Sequence, residues 1–119
     1  MNNYAVNILK TDMSPVDQYT LPGDGVGPAF SKVYPLIDTD IIQIEKGLLV
    51  QDGQKLVVDL YCDEEGLLKN KPRNLRASQL RLNYLKELGY DADQARAACV
   101  LVGDVALVAD LQEVEQTET

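Results

Sequence analysis

The chain contains no histidine, no tryptophan, one phenylalanine and only two cysteines among its 119 residues. Without imidazole, every catalytic scheme that needs a histidine base is excluded, and so are most zinc sites. Cys62 and Cys99 are far apart in the sequence, and we expect both to be reduced core residues, because free cysteine is often buried. We therefore predict no catalytic residues, no tightly bound metal, no cofactor and no enzymatic activity.

Long hydrophobic runs and positive charge are also scarce. No apolar stretch approaches the roughly 20 residues that span a bilayer, and the start of the chain lacks the pattern of a signal peptide. We therefore expect a cytoplasmic protein without a membrane segment. The 19 acidic and 11 basic residues give a net charge of −8, which repels nucleic-acid phosphates. We expect no direct nucleic-acid binding, whereas simple solubility, a basic protein partner or mimicry of DNA all agree with this charge.

The length and ordinary composition predict a single domain over residues 1–111, followed by an acidic tail at 112–119 that we expect to be disordered. Asp52-Gly53 between two apolar runs is a strong signal for a β-hairpin. The predicted fold class is α+β, with a small antiparallel or mixed sheet of four to six strands and one or two helices on one face. The expected strands are 4–9, 16–21, 41–45, 48–51, 56–62, Leu67-Leu68, and a near-continuous final strand over 99–108.

Three helices are expected, of which one is long. A short helix is predicted from Pro28 to Tyr34, and Asp91 is expected to cap a further turn through Arg96. The long helix is predicted to be capped by Asn74, to run to about Leu88 and to stop at Gly89. Its apolar positions spread over more than half of its circumference, so it packs against more than one surface or meets a partner. Self-association through this apolar helix, 74–88, is one option.

Two turns carry residue patterns that also occur in binding sites. Residues 21–28 (LPGDGVGP) resemble a loop near the cofactor of the isocitrate and isopropylmalate dehydrogenases, but the likeness covers about eight residues. We interpret it as a turn whose geometry needs glycine, with anion binding as the alternative. Asp63-Glu64-Glu65 offers clustered carboxylates, but its spacing is not that of a calcium loop, and we interpret it as a solvated turn.

The strongest candidate site is a basic segment on this acidic chain. It places several cations and an amide around the expected start of the long helix, where unpaired backbone N–H groups also attract anions. A phosphate, a carboxylate or an acidic protein segment would fit there, although the same cations could simply neutralise nearby acidic turns. The candidate anion-binding or partner-binding residues are Lys69, Lys71, Arg73, Asn74, Arg76 and Arg81.

The stretch from Ile41 to Asp110 resembles a family of short proteins from phages, plasmids and bacteria, the domain of unknown function 3846. The likeness rests on three matches in the same order: residues 60–68 (LYCDEEGLL), Asn74 with residues 76–78 (RAS), and residues 101–108 (LVGDVALV). The chain departs from the family pattern by a helix inserted between Leu80 and Cys99. The resemblance implies a small α+β unit in a phage or mobile-element context, and it implies no activity.

These observations predict a small, acidic, non-enzymatic binding or regulatory accessory protein of phage or mobile-element type, with a protein partner. The alternative is a domain that binds a small molecule or nucleotide through the anion-binding segment 69–76.

Overall fold

A computed structural model of the protein describes residues 2–110, so the predicted tail at 112–119 lies outside the described residues. Five strands and three α-helices, with one short 3₁₀ helix, make up this part of the chain. In chain order they are β1 (Asn2–Leu9), β2 (Asp17–Gly23), α1 (Phe30–Val33), the 3₁₀ helix (Tyr34–Leu36), β3 (Ile42–Gln51), β4 (Gln54–Asp63), α2 (Leu75–Glu87), α3 (Ala92–Ala98) and β5 (Val105–Asp110).

The strands form one antiparallel sheet in the order β2-β1-β5-β4-β3, which confirms the α+β prediction. The last strand among residues 2–110, β5, therefore lies in the middle of the sheet. Residues 105–108 of β5 are all buried, as expected for an uninterrupted apolar run with both faces covered. None of the helices among residues 2–110 has the length and apolar character needed to cross a membrane.

Each face of the sheet carries its own core. On one face, α2 packs over Leu9, Leu60 and Leu107, and α3 packs against α2 through Leu85, Ala95 and Cys99. On the other face, the segment containing α1 and the 3₁₀ helix covers a second cluster. That cluster is centred on Tyr4, Val6, Ile8, Val33, Ile37 and Tyr61. Helical segments therefore lie on both faces of the sheet, whereas the sequence predicts helices on one face.

The Asp52-Gly53 hairpin is confirmed, because β3 and β4 pair along their whole length up to Gln51 and Gln54. Both turn residues have positive φ, 52° for Asp52 and 79° for Gly53, as a tight two-residue hairpin turn requires. The two strands predicted over 41–51 are one continuous strand, β3. The long helix, its Asn74 cap and its stop at Gly89 are also confirmed.

The predicted strand at Leu67-Leu68 is wrong. Residues 64–70 form successive turns, held by hydrogen bonds from Gly66 N to Asp63 O and from Lys69 N to Glu65 O, both 3.0 Å. The two leucines project outward and are 75% and 84% exposed, so their apolar character marks no buried strand.

The predicted final strand over 99–108 is wrong in its first half. Gly103 has a φ of 76°, which breaks the extended chain, and regular strand pairing begins only at Val105. Leu101 instead binds the start of α2: its carbonyl accepts from Asn74 N at 2.8 Å, and its N–H donates to Ser78 Oγ at 2.9 Å. Cys99 and Leu101 are buried against the helices, a case that strand-like composition cannot distinguish from burial in a sheet.

Asn74 joins three parts of the fold. Its side chain is fully buried, and its oxygen accepts from Ala77 N at 3.0 Å, capping α2. Its Nδ2 donates to Leu9 O at 2.7 Å and to Gly103 O at 2.9 Å, at the end of β1 and just before β5. One amide thus fixes the helix to the ends of two strands.

Replacing Asn74 by alanine should therefore destabilise the protein far more than the loss of an exposed cap. Asn74→Ala removes the cap and leaves two buried carbonyls unpaired, so we expect a loss of roughly 3 kcal/mol in urea unfolding. The control is Asp91→Ala, which removes the exposed cap of α3 at Gln94 N and should cost about 1 kcal/mol. Equal losses in the two variants would contradict the role assigned to Asn74.

Candidate functional site

Lys69 and Lys71 of the basic segment converge on one acid, Asp63, at the end of β4. The Asp63 side chain is completely buried, and its Oδ2 lies 2.8 Å from Lys69 Nζ and 2.9 Å from Lys71 Nζ. Lys71 also donates to the carbonyls of Ile37 and Asp38, at 3.2 and 2.6 Å. Both lysines thus already pair with an acid of the same chain, which matches the interpretation that they neutralise an acidic turn.

The Asp63 carboxylate is held in its charged form. Burial alone would raise its pKa, but hydrogen bonds from Lys69 and Lys71 outweigh burial and keep the pKa of Asp63 well below its ordinary range. Its Oδ1 also accepts from Glu65 N at 2.9 Å. Asp63 therefore links the turns at 64–70 to the end of the sheet.

Arg76 reaches from α2 to the loop between β1 and β2. Its Nη2 donates to Lys10 O at 3.0 Å and to Ser14 O at 2.8 Å, so it braces the loop that carries Met13. Its Nε is buried and has no hydrogen-bond partner among residues 2–110. Arg76 is therefore a positioning residue for this loop.

The other three predicted site residues lie in different places: one in solvent, one at the edge of the sheet and one in the interior. Arg73 is exposed just before α2. Arg81 pairs with Glu45 at 3.2 Å and donates to Lys46 O at 3.0 Å, so it is bound to the edge strand β3. Asn74 is buried and makes its amide hydrogen bonds within the fold. The structure therefore does not bring the six residues together into one open site, and their role in binding stays a prediction.

An apolar groove, which we call the α2 groove, runs along the first half of α2 and encloses about 470 Å³. Arg76 and Gln79 stand at its side. Met13 and Leu75 at its rim are 55% and 57% exposed, which is unusual for large apolar side chains that meet in one place. The apolar residues that line the groove are Leu9, Met13, Leu49, Leu75, Leu80 and Leu107.

The glycine-rich loop after β2 is a compact turn. Asp24 Oδ1 accepts from Val26 N at 2.8 Å and from Gly27 N at 3.3 Å, while the Asp24 N–H donates to Gly27 O at 3.2 Å. Gly23 has no room for a side chain, because a Cβ there would overlap the Gly27 carbonyl. The loop therefore needs glycine for its own geometry, and its N–H groups at Val26 and Gly27 already have partners.

Both cysteines are buried and free, as predicted. Burial, followed by the charges of Glu45 and Asp63, raises the pKa of the Cys62 thiol to about 12. A thiol that stays protonated at neutral pH is a poor nucleophile. Cys62 therefore acts as a core residue.

The α2 groove escapes prediction from sequence because its walls come from four separate segments of the chain. The one available signal is the excess width of the apolar arc on α2, which predicts a second contact surface without locating it. Comparison with known proteins adds no relative: no protein-family model, no curated protein and no solved structure matches this chain.

The lowered pKa of Asp63 predicts how stability depends on pH. Because the folded-state pKa lies below the unfolded value of about 3.9, Asp63 stabilises the fold fully above roughly pH 5 and loses this contribution as the pH falls. Asp63→Asn should cost about 3 kcal/mol at pH 7, since it breaks a buried ion pair. The difference between Asp63→Asn and the parent should shrink as urea unfolding is measured at successively lower pH.

The control for this experiment is Asp93→Asn, because the Asp93 side chain is 98% exposed. It should change neither the stability nor its pH profile. A gap between Asp63→Asn and the parent that stays constant down to pH 2 would contradict the assignment.

Proposed function

We propose that this protein is a non-enzymatic binding protein of phage or mobile-element type that works in the cytoplasm and holds a segment of a protein partner in the α2 groove. The observation that carries the proposal is the pair Met13 and Leu75, both more than half exposed at the rim of an apolar groove. Exposed apolar side chains that meet around a groove are typical of recognition surfaces.

The rim of the groove is held in place. Met13 has a φ of 63°, a backbone conformation that is unfavourable for residues other than glycine. Arg76 donates to the carbonyls of Lys10 and Ser14, which lie on either side of Met13 in the chain. Methionine suits such a place because its flexible thioether adapts to apolar partners. Met13 is thus held exposed to solvent by a strained backbone conformation and by the hydrogen bonds of a partly buried arginine.

The charges beside the groove favour an acidic partner segment. Arg73 is exposed two residues before Leu75, which lies at the rim of the groove. An arginine fork binds carboxylates well, even on a protein of net charge −8, since distant acids are screened beyond about 8 Å. We therefore propose a partner segment that combines a large apolar side chain with a neighbouring carboxylate.

Two alternatives have less support. Anion binding by the segment 69–76 would have to compete with Asp63, which already pairs with Lys69 and Lys71. Self-association would place a second copy in the α2 groove, and sedimentation of the parent and of Leu75→Ser distinguishes it. A dimer that Leu75→Ser dissociates would make the second copy the occupant.

Leu75→Ser should weaken recognition without unfolding the protein. A random-peptide display library selected on the parent should yield peptides with apolar and acidic residues. Their affinity should fall about tenfold in Leu75→Ser, through lost apolar burial, and severalfold in Arg73→Ala. The matched control is Leu88→Ser at the other end of the helix, because Leu75 and Leu88 are 57% and 58% exposed.

Selected peptides that bind the parent, Leu75→Ser and Leu88→Ser equally well would refute the α2 groove as the contact surface. An affinity that is unchanged in Arg73→Ala at low salt would refute the acidic character of the partner.

A further inference from the structure

A second cleft, which we call the Tyr61 cleft, lies on the opposite face of the sheet from α2. It encloses about 370 Å³ between the glycine-rich loop and strands β3 and β4. Its walls include Gly27, Phe30 and Ile44, and Phe30 and Ile44 are each 41% exposed. A volume of this size suits a small organic molecule rather than a single water.

Tyr61 lines the cleft and carries its unused polar group. Only 1% of the residue is exposed, and no hydrogen bond joins its hydroxyl to another of residues 2–110, although the oxygen is not fully cut off from solvent. Tyr4, the other buried tyrosine of the same core, donates its hydroxyl to the carbonyl of Asp24. Two buried tyrosines thus differ in one respect: the Tyr4 hydroxyl is bonded within the fold, and that of Tyr61 is not.

The fold gains nothing from the Tyr61 hydroxyl. No other residue among 2–110 hydrogen-bonds to this hydroxyl, and a phenyl ring would make the same edge-to-face contact with Phe30, whose centroid is 5.7 Å away. The loop nevertheless leaves room for this hydroxyl. A Cβ at Gly27 would overlap it, so only glycine fits there.

The Tyr61 hydroxyl stays protonated, and so can donate a hydrogen bond, over the whole physiological pH range. Burial first, and then the charges of Asp59 and Asp24, raise the pKa of Tyr61 to about 12. The same two carboxylates disfavour an anion in the cleft, although Asp59 is partly compensated by its ion pair with Lys46. A ligand that accepts a hydrogen bond here must therefore do so with an uncharged group.

We propose that the Tyr61 cleft binds a small, uncharged aromatic molecule that carries a carbonyl or ring-nitrogen acceptor. The acceptor takes the hydrogen bond of the Tyr61 hydroxyl, and the aromatic ring packs on Phe30 and Ile44. Aromatic pairs favour such offset or edge-to-face contacts beyond simple apolar burial. This ligand site is separate from the α2 groove and does not depend on the function proposed for that groove.

The test uses benzamide and benzoate as probes, which have nearly the same shape but differ in charge. In NMR titrations of the full chain, benzamide should shift the signals of Ile44 and Gly27, and benzoate should bind at least tenfold more weakly. Tyr61→Phe should lower benzamide affinity about fivefold, the equivalent of one neutral hydrogen bond. Its melting temperature should stay equal to that of the parent or rise.

Three further variants serve as controls. Tyr4→Phe should lower the melting temperature, because it removes a hydrogen bond within the fold, and Tyr19→Phe, at an exposed tyrosine of β2, should change neither property. Leu75→Ser should leave benzamide binding intact. The proposal is overturned if Tyr61→Phe binds benzamide as well as the parent does, if it melts clearly lower, or if benzoate binds equally well.

Discussion

The buried amide of Asn74 ties the helix α2 to the sheet, and the position of the α2 groove depends on it. Its two donated hydrogen bonds satisfy Leu9 O and Gly103 O, where β1 ends and where the chain turns toward β5. A buried carbonyl without a partner is costly, so an apolar residue at this position would leave both strand ends unsatisfied. The α2 groove exists because this amide sets the start of the helix beside Leu9 and Leu107.

Side chains that donate hydrogen bonds to backbone carbonyls of distant segments recur along the segment that follows β4. Lys71 donates to carbonyls of the chain before β3, Arg76 donates to the loop after β1, and Arg81 donates to β3 itself. Positive charge is concentrated here because long cationic side chains reach backbone acceptors that no strand or helix satisfies. The buried Asp63 carboxylate compensates Lys71 and the neighbouring Lys69. A basic segment on an acidic protein is thus explained in large part by internal structure.

Prediction from sequence succeeds where residues act through local backbone geometry and fails where distant segments pack together. Asp52-Gly53, Asn74 and Gly89 act through local backbone geometry, so the hairpin and the limits of α2 follow from the sequence. The strand expected over 99–102 fails because burial against a helix and burial in a sheet select the same apolar residues. Basic residues give no local sign of their partners: Arg76 and Lys10 O are far apart in the chain. The wide apolar arc of α2 signals a second contact surface without locating the α2 groove, and the Tyr61 hydroxyl has no sequence signal, since each site arises from the packing of distant segments.

The β3 edge of the sheet limits how a partner can bind beside α2. An open edge strand invites another chain to add a strand. At β3, however, α2 supplies side-chain donors to the edge: Arg81 to Lys46 O at 3.0 Å and Asn83 to Leu48 O at 3.4 Å. A strand added there would have to displace both side chains and break the pair between Arg81 and Glu45. Recognition beside α2 therefore has to use side-chain surfaces, and the α2 groove is the apolar surface that the helix leaves open to solvent.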